Sequence, residues 1–248
     1  MQMTISLAVL GATGKMGKRI LYLATKDPHF NIVGAVARND IDNAFSQTSE
    51  DVIPMCDVAI DFTSQEATTF HLEAAVKAQK ALVIGTTGHS PESKRAIEES
   101  SKQIPILYSP NFSFGIALCL EAVARFSKVL GGRCTIDIVE THHVHKKDRP
   151  SGTAFAFAHA AAMGKTVVDA PGSSPRKKEE IVLHSIRTGE VVGEHVIIFE
   201  CGHERIEIKH TAHSRDAFAQ GALLGAKFLV HQPPGLYSIK DLFQANSA

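Results

Sequence analysis

Apolar residues in the first half of the chain form short runs that alternate with longer amphipathic segments. Five runs predict buried strands, which begin at residues 5, 31, 57, 81 and 104. Helical spacing of apolar residues predicts helices over residues 15–25, 64–80 and 90–102. Strands that alternate with helices are typical of a parallel sheet covered by helices on both faces.

The pattern changes after about residue 115. A helix over residues 115–130 precedes a strand in which Ile136 and Ile138 alternate with polar residues, and another helix follows Pro150. Strand-like runs at residues 180–189, 194–201 and 205–212 then follow without a helix between them. Consecutive strands favour a mixed or antiparallel sheet, which predicts a second domain of α+β character. The last helix is predicted over residues 215–230, before a loop and a short terminal segment.

The composition argues against several classes of protein. The 248 residues include 26 acidic and 26 basic side chains, so no net charge attracts the chain to nucleic acid or to an anionic membrane. No apolar run approaches the roughly 18 residues of a membrane-spanning helix. The scattered cysteines (Cys56, Cys119, Cys134 and Cys201) are interpreted as buried thiols in a reducing compartment, and not as a disulfide framework or a zinc site. A cytoplasmic location is expected.

A glycine-rich turn joins the first strand to the first helix. It consists of Gly11, Ala12, Thr13, Gly14, Lys15, Met16 and Gly17. Residues without a Cβ atom let the backbone and a helix N-terminus approach a pyrophosphate, so the turn is interpreted as a dinucleotide site. The spacing is G-x-x-G-x-x-G rather than G-x-G-x-x-G, and an ordinary glycine-bearing turn is the alternative.

The end of the second strand bears on the choice between cofactors. Arg38 is placed to accept the 2′-phosphate of NADPH, whereas Asp40 is placed to hold the ribose hydroxyls of NADH. The sequence therefore slightly favours NADPH and leaves NADH open, and a surface arginine without a ligand is the alternative.

Two further loops follow strands at the edge where ligands bind in open α/β sheets. Gly85, Thr86 and Thr87 follow the fourth strand, and their small side chains would let a flat nicotinamide ring come close. The fifth strand is followed by Pro110, Asn111, Phe112 and Ser113, in which Asn111 is expected to pair with the carboxamide and Phe112 to wall the ring. The segment 61–63 after the third strand completes this rim.

The stretch ETHHVHKKDRPSGT, residues 140–153, concentrates histidine and basic residues before a helix start. A metal site is one interpretation, but His142 and His143 point to opposite faces of a strand. His143 and His145 would share a face, although no carboxylate or thiol nearby completes the site. A solvated basic loop is another interpretation, and no metal is expected.

A pocket for a carboxylate substrate explains the stretch best. Ser151, Gly152 and Thr153 open a helix, and free amide groups at a helix N-terminus bind anions. Cationic side chains beside that terminus strengthen the binding of carboxylates. Histidine and lysine are also suited to deliver protons near neutral pH.

ETHHVHKKDRPSGTA resembles the signature of the dihydrodipicolinate reductase (4-hydroxy-tetrahydrodipicolinate reductase) family, E-x-H-H-x-x-K-x-D-A-P-S-G-T-A. The segments GATGKMG, DFT, GTTG, SPNFSFG, HTAHSRDAFAQGAL and GLYSIKDLF also follow in the family's order. The resemblance therefore extends over essentially the whole chain.

The resemblance implies a fold and a reaction. The fold would be a Rossmann-like domain of residues 1–113 and 215–248, with a smaller α+β domain of residues 114–214 whose mixed sheet forms a homotetramer. The reaction would be hydride transfer from NADPH or NADH to a cyclic unsaturated imine dicarboxylate, which gives tetrahydrodipicolinate in diaminopimelate and lysine biosynthesis.

The resemblance also implies roles for residues. His142 and Lys146 would be the proton-donating pair, with His143, Ser151, Gly152 and Thr153 binding the substrate. The turn at residues 11–17 would hold the pyrophosphate, and residues 85–87 and 110–113 the nicotinamide end.

The chain departs from the family pattern at Arg149, where alanine is usual, and at Ala37, where an acidic residue is frequent. An additional substrate contact is one interpretation of Arg149, but the residue is expected to point outward. The alternatives are a dinucleotide-binding sensor that performs no chemistry and another two-domain dehydrogenase. A sensor would have lost His142 or Lys146, and both are present. A semialdehyde dehydrogenase requires a catalytic cysteine setting that none of the four cysteines has.

Overall fold

The computed structural model describes residues 4–37, 48–169 and 176–245. The chain divides into two compact units, of which the first comprises Met1–Phe114 with Arg215–Ala248 and the second Gly115–Ser214. The second unit is thus one continuous segment, while the first is built from both ends of the chain. In the described ranges no helix has the length and apolar character needed to cross a membrane.

In chain order, the strands are β1 (Ile5–Leu10), β2 (Phe30–Val36), β3 (Val58–Asp61), β4 (Ala81–Ile84), β5 (Pro105–Tyr108), β6 (Thr135–His142), β7 (Thr166–Asp169), β8 (Glu180–Arg187), β9 (Gly193–Glu200), β10 (Arg205–Ala212) and β11 (Gly235–Tyr237). The α-helices are α1 (Lys15–Ala24), α2 (Ser49–Val52), α3 (Gln65–Ala78), α4 (Pro91–Ser101), α5 (Phe114–Leu130), α6 (Gly152–Ala161), α7 (Asp216–Leu229) and α8 (Asp241–Ala245).

The first unit contains a six-stranded sheet in the order β11-β5-β4-β3-β1-β2, with every pair of neighbours parallel. All four residues of β3 and of β4 are buried, as expected for strands covered on both faces. The chain leaves β1 toward β2 on one side and continues with β3 on the other. This reversal of strand order creates a crevice at the carboxyl ends of β1 and β3, where doubly wound sheets bind ligands.

The second unit contains a five-stranded mixed sheet in the order β10-β9-β6-β8-β7. β8 is parallel to β6 and β7, and β9 is antiparallel to β6 and β10. A buried apolar cluster lies on one face of this sheet and includes Phe157 of α6, Ile138 of β6 and Phe199 of β9. The predicted fold class, a Rossmann-like parallel sheet with a second α+β unit, is confirmed.

Three short elements escape prediction from the apolar pattern. β11 was predicted as loop, yet it pairs with β5 at the edge of the first sheet. β7 and α2 have four residues each. Apolar periodicity needs more residues than these segments contain, and β11 also depends on a partner strand that is distant in the chain, with Gly235 paired to Pro105.

The cysteine prediction is wrong for one pair, because Cys134 and Cys201 form a disulfide. Thr135 pairs with Glu200 across β6 and β9, so the residues just outside this pair face each other. The bridge follows from strand register and joins residues 67 positions apart, which no local spacing reveals. Cys56 is a buried free thiol, as predicted, whereas Cys119 is a free thiol that is only half-buried.

Candidate active site

The glycine-rich turn of the first unit is so closely packed that two of its glycines have no room for a side chain. Gly11 has a φ of +86°, and a Cβ atom there would lie 2.6 Å from the carbonyl oxygen of Phe62. A Cβ atom on Gly17 would lie 2.1 Å from the carbonyl oxygen of Gly11. Glycine therefore allows α1 to start directly against the end of β1, with Gly14 as its N-cap residue.

A cavity of about 490 Å³ adjoins this turn at the carboxyl ends of β1, β2 and β3. Its lining comprises Gly11, Thr13, Gly14, Val36, Ala37, Phe62, Thr63, Ser64, Glu66, Ala67, Phe70 and His71. Thr13 and Gly14 are exposed at the N-terminus of α1, where free amide groups favour a phosphate. The close-packed turn, the helix N-terminus and the position at the strand reversal together fit a dinucleotide.

Asp61 connects three segments near this cavity. Its buried carboxylate accepts hydrogen bonds from the amide of Thr63 at 2.9 Å and from the hydroxyl of Thr86 at 3.3 Å, and it pairs with Nδ1 of His71 at 3.1 Å. Burial by itself would raise the pKa of Asp61, but the hydrogen bond and charge of His71 outweigh it and lower that pKa. The ionised carboxylate thus joins the loops after β3 and β4 to helix α3.

The two loops predicted to hold the nicotinamide follow the adjacent parallel strands β4 and β5. A Cβ atom on Gly85 would lie 2.2 Å from the ring of Phe62, so glycine lets that ring pack against the loop. Phe112 is only 2% exposed, with its ring 5.7 Å from that of Phe62. Asn111 accepts a hydrogen bond from the amide of Ser113 at 2.8 Å through its side-chain oxygen. The ring of Phe112 is thus packed in the interior, and its carbonyl oxygen lies against Gly221 of α7, where a Cβ atom would come within 1.8 Å of it.

The other predicted cofactor residues are dispersed. Ala12 is buried and Lys15 is exposed, and neither they nor Met16 line the cavity. Arg38 and Asp40, on which the choice between NADPH and NADH was based, lie outside the described residues.

In the second unit, strand β6 presents two polar residues on its buried face. Its burial alternates, so Glu140 and His142 follow Ile136 and Ile138 on the side that faces the core. His142 is the last residue of the strand, and the turn after it carries Lys146. Lys146 pairs with Asp148 through Nζ and Oδ1, 2.9 Å apart.

Helix α6 begins beside these residues. Ser151 is the N-cap residue of α6. The hydroxyl of Ser151 accepts a hydrogen bond from the amide of Ala154 at 3.1 Å, and the amide of Ser151 donates one to Oε1 of Glu140 at 3.3 Å. Gly152 is exposed, and a Cβ atom there would meet nothing within 4 Å. The first turn of α6 is therefore accessible and held next to the buried end of β6. Pro150 precedes it after a cis peptide bond.

Buried charges organise this end of the sheet. Glu140 is fully buried and pairs with His142 and with Arg187 of β8, whose guanidinium lies 2.7 Å from Oε1. Burial by itself would raise the pKa of Glu140, but the hydrogen bonds from His142 and Arg187 lower it to about 2. Burial and then the charge of His142 lower the pKa of His195 on β9 to about 3, so His195 is neutral.

Four of these residues were not predicted to have these roles: Asp61 as the shared hydrogen-bond acceptor, Glu140, Arg187 and His195. Glu140 opens the stretch ETHHVHKKDRPSGT, and strand alternation places it in phase with Ile136 and Ile138, which marks a buried carboxylate. Arg187 and His195 give no such local signal, since only the sheet register brings them to Glu140. Arg149 is exposed, as expected, and donates to the carbonyl oxygen of Ser185 at 2.7 Å.

Comparison with known proteins assigns both units of the chain to one family. Residues 5–112 match the family model described as dihydrodipicolinate reductase, N-terminus, and residues 115–243 match the model of the C-terminus. The chain is 40% identical to the 4-hydroxy-tetrahydrodipicolinate reductase of Methanopyrus kandleri, with 96% of each chain covered. It is 41% identical to that of Caldanaerobacter subterraneus, with 97% of this chain and 98% of the relative covered.

A solved structure shares the fold. The dipicolinate-bound dihydrodipicolinate reductase of Paenisporosarcina sp. superposes with a TM-score of 0.78 at 21% identity, covering 96% of this chain and 99% of that chain. The family models and the relatives confirm the predicted resemblance and the interpretation as an enzyme. The chain belongs to the dihydrodipicolinate reductase family.

Proposed function

We propose that this protein reduces 4-hydroxy-tetrahydrodipicolinate to tetrahydrodipicolinate with NAD(P)H, in diaminopimelate and lysine biosynthesis. The observation that carries the proposal is the grouping of His142, Ser151 and the open first turn of α6 around one buried carboxylate, in a chain whose family consists of reductases. Such a site combines a proton donor with a place for an anionic group.

The first unit is proposed to hold the cofactor. Gly11, Gly14 and Gly17 let the backbone and the N-terminus of α1 approach the pyrophosphate, and residues 85–87 and 110–113 receive the nicotinamide end. The bound dinucleotide supplies the hydride. Asp61 supports this function by keeping the loops after β3 and β4 in fixed positions.

The second unit is proposed to hold the dicarboxylate. The amides of Gly152 and Thr153 and the dipole of α6 attract one carboxylate, while Ser151 fixes the start of the helix. His143 is the further substrate contact. Electrostatic attraction of this kind orients the ring before the reaction, which is a large part of the rate enhancement in many enzymes.

His142 and Lys146 are proposed to complete the chemistry. The 4-hydroxyl group of the substrate leaves as water, which gives the unsaturated imine ring. The product contains one hydride and one proton more than that ring, and the hydride leaves negative charge on a ring carbon or nitrogen. A neighbouring acid must neutralise that charge, and an imidazolium and an ammonium group are both suitable near neutral pH.

The cofactor preference and the assembly are further parts of the proposal. Arg38 slightly favours NADPH, and comparison of the rates with NADPH and NADH tests this. A homotetramer formed through the mixed sheet is supported by partly exposed apolar residues on the face opposite the core: Val139 of β6, Val196 and Ile198 of β9, and the exposed Ile186 of β8. Light scattering of the purified protein would give the mass of the assembly.

The decisive experiment follows the oxidation of NADPH and NADH in parallel, with the substrate generated in situ from pyruvate and aspartate semialdehyde by the preceding enzyme. Consumption that requires both precursors supports the proposed reaction. A protein that binds either dinucleotide but oxidises neither would instead be a sensor, the alternative considered from the sequence.

A further inference from the structure

Glu140 is a buried carboxylate surrounded by hydrogen-bond donors. Oε1 accepts from the guanidinium of Arg187 at 2.7 Å and from the amide of Ser151 at 3.3 Å. Oε2 accepts from the same guanidinium at 2.9 Å and pairs with Nδ1 of His142. Glu140 is 0% exposed, so it has no solvent to hydrogen-bond with.

This arrangement determines which nitrogen of His142 carries a hydrogen. Arg187 and the amide of Ser151 are obligatory donors, and an ionised carboxylate is acceptor-only. Nδ1 of His142 can pair with Oε2 only by donating, so it must be protonated. The low pKa of Glu140, about 2, agrees with an ionised carboxylate.

Nε2 is therefore the ring nitrogen that gains and loses a proton. Within the described residues Nε2 forms no hydrogen bond, and it is not completely shielded from solvent. Gly193, at the start of β9, lies beside it: a Cβ atom there would come within 3.1 Å of Nε2. Glycine at this position leaves that nitrogen uncrowded.

We propose that Glu140, held by Arg187, is a positioning residue that keeps His142 in the Nδ1–H form and makes Nε2 the atom that delivers the proton in the reaction. The inference rests on the proposed function and deepens it. The imidazolium loses its Nε2 proton to the reduced ring and becomes the neutral Nδ1–H form, while Glu140 retains the Nδ1 hydrogen bond throughout. Nε2 then takes a new proton from solvent.

The other titratable groups of this cluster come from three further segments. His195 of β9 has its ring 5.2 Å from that of His142 and is neutral, and its Nε2 lies 3.3 Å from the hydroxyl of Ser151. Lys146 and His210 of β10 act on His195 through their charges. The carboxylate of Glu140 lies in direct hydrogen-bond contact with His142, so it sets the tautomer of that ring.

The test begins with ¹⁵N NMR of histidine in the full-length protein, at about pH 9 where an ordinary imidazole is neutral. A His142→Asn variant assigns the signal. We expect the wild-type ring to be the Nδ1–H form, whereas a free neutral histidine prefers Nε2–H. An Nε2–H ring in the wild type would overturn the proposal, and this measurement needs no variant of Glu140.

Glu140→Gln then tests the cause. Its amide oxygen at the Oε1 position would accept from Arg187 and from the amide of Ser151. Its NH₂ group at the Oε2 position would then face His142 and lose the second hydrogen bond from Arg187, so we expect the ring to switch to Nε2–H. The control is Glu190→Gln, because Glu190 pairs with His145 at 3.2 Å on the exposed surface. The tautomer of His142 should be unchanged in this control, and an unchanged tautomer in Glu140→Gln would contradict the proposal.

Turnover gives the functional readout. We expect Glu140→Gln to lower kcat by at least about a hundredfold, with the affinity for the dinucleotide unchanged, and Glu140→Asp to recover part of the rate. Wild-type kcat in Glu140→Gln would exclude the positioning role. A wild-type protein without turnover would instead refute the proposed reaction, and the NMR result would still stand.

Discussion

The candidate site of the first unit is formed mainly by main-chain atoms, and that of the second unit mainly by charged side chains. In the first unit the glycine-rich turn works through the absence of side chains, since Gly11 and Gly17 have backbone atoms where a Cβ would lie. In the second unit the site depends on buried charged side chains, with Glu140 placed between Arg187 and His142. A main-chain site offers fixed dipoles to a phosphate, whereas a side-chain site can change its protonation state.

The difference predicts different responses to mutation and to pH. Changes at the side-chain site should affect turnover while cofactor affinity stays the same, and changes at the main-chain site should do the reverse. The following experiments test this separation, beginning with the largest expected effect.

Removing a proton donor should have the largest effect. We expect His142→Ala and Lys146→Ala each to lower kcat by roughly 100- to 10,000-fold, the usual contribution of general acid catalysis. Dinucleotide affinity, measured by fluorescence titration, should be unchanged. His145→Ala and Lys147→Ala are matched controls from the same turn, since both side chains are exposed. Normal turnover in either of the first two variants would refute the assigned roles.

Gly17→Ala should have the converse effect. The added methyl group would lie 2.1 Å from the carbonyl oxygen of Gly11, so the turn must shift. Such overpacking typically costs about 1–3 kcal/mol, which corresponds to roughly a 5- to 150-fold weaker dinucleotide affinity. Gly132→Ala is the control, because a Cβ there meets nothing within 4 Å. Wild-type affinity in Gly17→Ala would show that the turn does not bind the cofactor.

The side-chain site should also make stability depend on pH. His195 has a pKa of about 3 in the folded protein and 6.5 ordinarily, so below pH 6.5 the unfolded chain binds the extra proton. Stability is therefore lost as the pH falls from 6.5 toward 3, by roughly 2 kcal/mol at pH 5. The pKa of Glu140 is lowered from 4.5 to about 2. The stability that its ionised form provides is therefore fully present above pH 4.5 and is lost only as the pH falls below that value.

Urea unfolding at pH 7 and pH 5 measures the stability that is lost when His195 becomes protonated. Between pH 7 and pH 5, we expect the free energy of unfolding to fall by about 2 kcal/mol less in His195→Asn than in the wild type. An equal loss in both proteins would mean that His195 is not buried in its neutral form.

The smallest effect should come from Gly193→Ala, which changes the main chain within the side-chain site. The new methyl group would lie 3.1 Å from Nε2 of His142 and displace the ring by a few tenths of an ångström. We expect kcat to fall by roughly two- to tenfold, because proton transfer depends on distance and orientation. Gly132→Ala again serves as the control, and an unchanged kcat would place the working face of His142 elsewhere.

The contrast between the sites also explains what the sequence can predict. The turn at residues 11–17 is local, so glycine spacing after a strand identifies it, and the histidine-lysine stretch is recognised in the same way. Arg187 is 47 residues from Glu140, and Cys134 is 67 residues from Cys201. These pairs form through sheet register, which depends on the packing of the whole unit.

The alternating pattern of β6 shows where the limit lies. It predicts which residues point toward the core, and so it could have identified Glu140 as a buried carboxylate. It does not predict the partner that neutralises such a residue, because that partner comes from β8. The short edge strand β11 escaped prediction for the same reason, since its three residues become a strand only by pairing with β5.

The edge position of β11 has a consequence for synthesis of the protein. Ribosomes make Pro105–Tyr108 long before Gly235–Tyr237, so β5 leaves the ribosome without its outer neighbour. Helix α7, which packs Gly221 against the main chain of Phe112, is also made late. The second unit is continuous and can complete its folding first. The first unit is thus begun first and finished last, and its unpaired edge is exposed to other nascent chains in the interval.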